Sequence, residues 1–213
     1  ILSISLACAR AAANSMKISL YEYLNIMYKG ISNKNSTLSL PVPMLNIMNG
    51  GCHANNSVDI QEFMIIPSKK FHFKDGLMKS VEVYTNLKNL LKEKELSVSV
   101  GDEGGFAPNL KTSEEVLDLI ILSIERAGLI YLDDISIALD CAASELFNED
   151  TYKLIGENKK YSSEEMVIYI QSLVDKYEIK SVEDPFDETD WDAWKTFTQN
   201  NKDLQIVGDD IFV

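Results

Sequence analysis

Six side chains able to hold a cation or move a proton, His53, Glu62, Glu103, Asp140, Glu183 and Asp209, each stand where a short apolar run stops. Three of those runs, Ile137-Ala138-Leu139, 179–182 and 205–208, read as buried strands that end directly in a carboxylate. In a barrel of parallel strands every C-terminal strand end opens at one mouth, so carboxylates scattered along the chain converge in space. Convergent hard oxygen ligands favour a divalent cation, with Mg²⁺ the best match. Taken singly, the same acids have plainer readings, since an Asp at a strand end commonly caps the helix that follows. Asp210 fits a cap or supporting group better than a ligand, and Asp184 is placed to orient Glu183.

The elements that would position these residues follow from the apolar periodicity. Residues 1 to about 28 read as two helices, the second carrying a stripe of Leu20, Tyr21, Leu24, Ile26 and Met27. The polar stretch 30–39 reads as a junction, and prolines 41 and 43 make 41–48 extended. Residues 59–66 form the next expected strand, closed by Pro67. Helix, strand and helix are expected at 75–92, 98–100 and behind a capping box of Thr112 and Glu115, with Gly128 as the stop. A strand at 135–139, a second boxed helix behind Ser162 and Glu165, a strand at 179–182, a helix at 191–198 and a strand at 205–208 complete the series. Continuous apolar strands alternating with helices indicate α/β architecture with parallel pairing. Acids at several successive strand ends favour a barrel over a doubly wound sheet, which gathers its chemistry at one glycine-rich turn.

Bulk properties exclude several classes. The 213 residues carry 33 acids against 20 bases, a net charge of −13, which argues against nucleic-acid binding through phosphate neutralisation. No apolar run reaches the length of a membrane span. Cys8, Cys52 and Cys141 have no disulfide or zinc spacing, so a reducing, cytoplasmic setting is expected, with Cys141 as buried filler. Asn35-Ser36-Thr37 and Asn55-Asn56-Ser57 match glycosylation acceptors and are read as chance. His72 and the charged run 92–95 are expected at the surface, and Trp191 and Trp194 in packing. The chain begins inside an apolar, Ala-rich segment without Met and stops in the apolar run 210–213, so it is expected to be a central fragment lacking both ends.

Six motifs in series resemble enolase. They are 46–54 (Asn-Ile-Met-Asn-Gly-Gly-Cys-His-Ala), 61–65 (Gln-Glu-Phe-Met-Ile), 100–109 (Val-Gly-Asp-Glu-Gly-Gly-Phe-Ala-Pro-Asn), 138–145 (Ala-Leu-Asp-Cys-Ala-Ala-Ser-Glu), 181–186 (Ser-Val-Glu-Asp-Pro-Phe) and 207–210 (Val-Gly-Asp-Asp). The resemblance runs almost end to end. It implies that residues 1–38 end an α+β N-terminal domain and that 39–213 form an incomplete TIM-type barrel. It implies Mg²⁺ held by Asp140, Glu183 and Asp209, Glu103 as general acid with Glu62 as its partner, and His53 on a mobile loop that closes on the substrate phosphate. Glu62, Glu183 and Asp209 would also line the substrate, 2-phosphoglycerate, which loses water to give phosphoenolpyruvate in glycolysis. The full-length protein would be a cytoplasmic homodimer.

Two departures qualify this. The family's lysine base, its Arg-Ser clamp and second lysine, and its early metal-binding serine match no position here, and residues 39–213 are fewer than the roughly 250 of a complete barrel. The isolated chain is therefore expected to be inactive alone and to fold poorly. A non-catalytic, truncated enolase-like binding protein is the alternative reading. A sugar-acid dehydratase of the same superfamily is weaker, because His53, Glu62 and Glu103 occur together.

Overall fold

A computed structural model describes residues 1–32 and 37–213; the acceptor motif at Asn35 and much of the expected junction lie outside them. The chain divides into two compact units, Ile1–Pro41 and Val42–Val213. The first holds two helices, α1 (Leu2–Met16) and α2 (Leu20–Ser32). Lys17 ends α1 in the left-handed conformation with its N–H on the Ala13 and Asn14 carbonyls, a C-terminal cap of the kind usually given to glycine. The stripe on α2 is present, but none of it is buried: Tyr21, Leu24, Ile26 and Met27 are exposed.

The second unit is built on a five-stranded sheet in the order β1 (Leu45–Asn49), β2 (Glu62–Pro67), β3 (Ile135–Asp140), β7 (Ser181–Glu183), β8 (Gln205–Val207). Strands follow one another across the sheet in chain order, the arrangement of an opened-out barrel. Phe63, Ile65, Ile137 and Leu139 point to one face and are fully buried. On that side they join Val83, Leu87 and Leu90 of α3 (Phe73–Glu93), Val116, Ile120 and Ile124 of α4 (Ser113–Arg126), and Met166 and Ile170 of α5 (Ser163–Tyr177) in one core. Burying a side chain of this size contributes about 1.5–3 kcal/mol. That alternation of the two faces leaves Glu62, Met64, Ala138 and Asp140 on the other.

Several expectations are corrected. Only β3, β7 and β8 are parallel; β2 runs antiparallel to both β1 and β3. Consequently Glu62 begins its strand rather than ending an apolar run. Residues 98–100 form no strand. Instead Phe106 lies beside β1, accepting the Asn49 N–H at 2.9 Å and donating to the Ile47 carbonyl at 2.9 Å. The first capping box is half made, because Thr112 accepts the Glu115 N–H while Glu115 turns to the N–H of Lys111. The second, Ser162 with Glu165, is complete. A small antiparallel sheet of β4 (Phe147–Asn148), β5 (Thr151–Leu154) and β6 (Lys159–Tyr161) was not expected. On α6 (Trp191–Asn200) Trp194 packs edge-on against Phe186, whereas Trp191 is exposed. His72 is exposed and Cys141 buried, as expected. Among the described residues no helix is long and apolar enough to cross a membrane.

Candidate acid–base and cation site

Strand register sets the site. Glu62 pairs with Asp140, and Asp140 with Glu183, so three carboxylates stand abreast at one end of the sheet. Adjacent strands are about 4.8 Å apart, close enough for their side chains to share a ligand. Glu183 pairs in turn with Val207, two residues before Asp209. Because β2 runs the other way, its N-terminal end meets the C-terminal ends of β3 and β7. A register shift of one residue in β2 would send Glu62 into the apolar face.

Two groups of ligand atoms, each within 4.8 Å of one another, result: His53, Glu62 and Glu103, and Asp140, Glu183 and Asp184. In the first, His53 Nδ1 lies 3.3 Å from Glu62 Oε1, without the alignment of a full hydrogen bond. Burial pushes the Glu62 carboxyl up and the adjacent Glu103 charge adds to this, while His53 opposes. Glu103 itself is exposed, on a loop that the Tyr84 hydroxyl of α3 holds by donating to the Gly104 carbonyl at 2.9 Å. Gly101 lets this loop lie on the His53 loop: a Cβ there would stand 2.5 Å from the His53 carbonyl oxygen, which accepts the Asp102 N–H at 3.0 Å. Two loops far apart in sequence are thereby fixed backbone to backbone, which brings a histidine and two glutamates together.

In the second group burial pushes Asp140 up to about 6, and the neighbouring Glu62 charge adds to it against the Ala142 N–H bond. Burial and the charges of Asp140, Asp184 and Asp209 push Glu183 up to about 7. Such crowding of like charge is what a cation would relieve. Asp140 is oriented by the Ala142 N–H on Oδ1 at 3.0 Å and the Gln61 side-chain amide on Oδ2 at 3.3 Å. Asp209 acts electrostatically on Glu183 but stands outside the tight group. Asp184 takes its place there and does not bond to Glu183, so the orienting role expected of it falls elsewhere. Asp210 opens a short 3-10 turn, 210–212.

Sequence reasoning did not find the roles of Gln61 or Tyr84. Gln61 had a signal in its place beside Glu62; Tyr84, on a helix face, had none.

The donor set suits a hard divalent cation: carboxylate oxygens without sulfur, partly buried, and mutually destabilised until a positive charge joins them. Two glutamates, one of them (Glu62) pushed up by burial, and a histidine stand alongside. The arrangement can hold a cation against an anionic substrate and protonate a leaving oxygen beside it. Residues 37–213 match the family model described as enolase, C-terminal TIM barrel domain. With the matched segment spanning every residue of the site and most of the chain, the protein belongs to the enolase family.

Proposed function

We propose that the protein catalyses the Mg²⁺-dependent dehydration of 2-phosphoglycerate to phosphoenolpyruvate, the cytoplasmic glycolytic reaction that also runs in reverse in gluconeogenesis. One observation supports this above the others: the acid–base group and the carboxylate group share one sheet end, with Glu62 in register beside Asp140. Asp140, Glu183 and Asp209 would hold the cation. Magnesium supplies fixed positive charge to offset the charge that develops on the substrate carboxylate as C2 loses its proton.

The chain's own groups supply the acid side. Glu103, on its pinned loop, donates a proton to the departing 3-hydroxyl. Glu62, whose carboxyl is pushed up by burial, would stand beside it as its partner acid. His53, half-buried beside Glu62, would close on the substrate phosphate and help exclude water. The lysine base that the family uses matches no residue here, so the assay belongs to the native polypeptide. Homodimerisation belongs to the same reading, supported by the apolar side chains that α2 leaves exposed.

The native polypeptide is expected to form phosphoenolpyruvate only with Mg²⁺, and Glu103→Gln to lower the turnover by about 10²–10⁴-fold with the melting temperature unchanged. No product from the native polypeptide would sink the proposal and leave the non-catalytic binding reading in its place.

A further inference from the structure

Asp184 is the most deeply buried carboxylate at the mouth, 2 % exposed. Its backbone is left-handed, φ 40°, a conformation that non-glycine residues keep only where the surroundings hold it. Both side-chain oxygens are engaged. Oδ1 accepts the Asp209 N–H at 3.1 Å, and Oδ2 accepts the N–H of Asp209 at 3.2 Å and of Asp210 at 2.8 Å. These are the free N–H groups opening the 3-10 turn after β8, where the Asp209 side chain makes no cap bond of its own. Asp184 thus caps that turn from the neighbouring strand. Its main chain adds a bond to the end of β8 itself, donating to the Val207 carbonyl at 3.2 Å, and reaches the segment after β3, accepting the Ala143 N–H at 3.1 Å.

We propose that Asp184 is a positioning residue that fixes the backbone of Asp209, so that the Asp209 side chain, not that of Asp184, completes the cation site with Asp140 and Glu183. The inference rests on the reading of those three carboxylates as the cation's holders. Asp184 lies close enough to pass for a ligand itself, but three of its roughly four acceptor directions are taken by the Asp209 and Asp210 N–H groups. An aspartate suits the task better than an asparagine, because two oxygens accept three bonds here and an amide offers one oxygen.

The test is Mg²⁺ binding by titration calorimetry on the native polypeptide, with amide hydrogen exchange followed over residues 205–213. Asp184→Ala is expected to weaken Mg²⁺ binding about 10–100-fold, as loss of a ligand's supporting partner does, and to speed exchange of the Asp209 and Asp210 amides. Asp184→Asn, which keeps one acceptor, is expected to fall between wild type and Asp184→Ala in both readouts. Asp209→Ala is expected to bind more weakly than either while leaving exchange elsewhere unchanged. Should Asp184→Ala fail to fold, Asp184→Asn carries the comparison. Variants at 184 that bind within about twofold of wild type would overturn the inference. So would an Asp184→Asn that loses all binding while Asp209→Ala keeps it, since Asp184 would then be a ligand. A wild type that binds no Mg²⁺ would overturn the proposed function and this inference with it, whereas a wild type that binds beside unaffected variants at 184 overturns the inference alone.

Discussion

At the scale of single residues, the carboxylate group makes stability depend on pH in a direction that can be worked out. Unfolded, Asp140 and Glu183 would titrate near 3.8 and 4.5, and folded they are pushed up to about 6 and about 7. A folded pKa above the unfolded one means that the folded state holds its protons more tightly. The contribution is whole below about pH 4 and is lost as pH rises through 6 and 7. Chelator-treated protein should therefore melt at lower temperature at about pH 8 than at about pH 5, with Asp140→Asn flattening the slope. Added Mg²⁺ should raise the melting temperature more at the higher pH, where the ligands are ionised. A melting temperature that is flat or rises across that range without metal would contradict this electrostatic account. The acids were legible in sequence because each borders an apolar run. Their partners were legible only in part: Asp184 stood out as a supporting group but its target, the Asp209 and Asp210 backbone, did not, and Gln61 and the Gly101 contact act through register and backbone approach, which spacing along a chain does not reveal.

At the scale of elements, the His53 loop is held by a second sheet that sequence patterning did not show. β4, β5 and β6 are two to four residues long, and β6 reads Lys-Lys-Tyr, too short and too polar for an alternating signal. Conversely, Val98-Ser99-Val100 has strand composition but is displaced by Phe106 as the neighbour of β1. The antiparallel course of β2 was also invisible, because an apolar run carries no direction. Yet the helices fell within a few residues of expectation, since caps and 3.6-residue periodicity are local. The unexpected hairpin does a definite job. Asp59, 8 % exposed, accepts the N–H groups of Gly156 and Glu157 at 2.9 and 3.0 Å, and Ser57 donates to the Leu110 carbonyl at 2.8 Å. A Cβ on Gly156 would stand 1.6 Å from the Ser57 oxygen. Asp59→Ala should therefore cost about 1–3 kcal/mol in denaturant melts and release amide protection at 151–161 before that of the main sheet. Gly156→Ala should displace the same hairpin and loop. Unchanged protection in both variants would mean that the two segments are not coupled.

At the scale of the molecule, the sheet's two edges differ. β1 is covered by Phe106, which bonds to Ile47 and Asn49. Beyond β8 no strand follows among the described residues. In a parallel ladder alternate residues bond to one side; the Gln205 N–H goes to Lys180 and the Val207 carbonyl accepts from Asp184, so Ile206 turns its N–H and carbonyl outward. An outward, unpaired backbone edge beside apolar side chains templates pairing with another chain. A net charge of −13 opposes this by long-range repulsion, but that repulsion is screened within about 10 Å at 0.1 M salt. The 213-residue chain should therefore associate with rising concentration, and more so as salt is added. Ile206→Pro removes the outward N–H at an edge position that tolerates proline and should return the chain toward monomer without moving its melting temperature by more than a few degrees. Sedimentation velocity across concentration and salt reads both effects. A single monomeric species under every condition would show that side-chain charge, rather than backbone pairing, governs that edge.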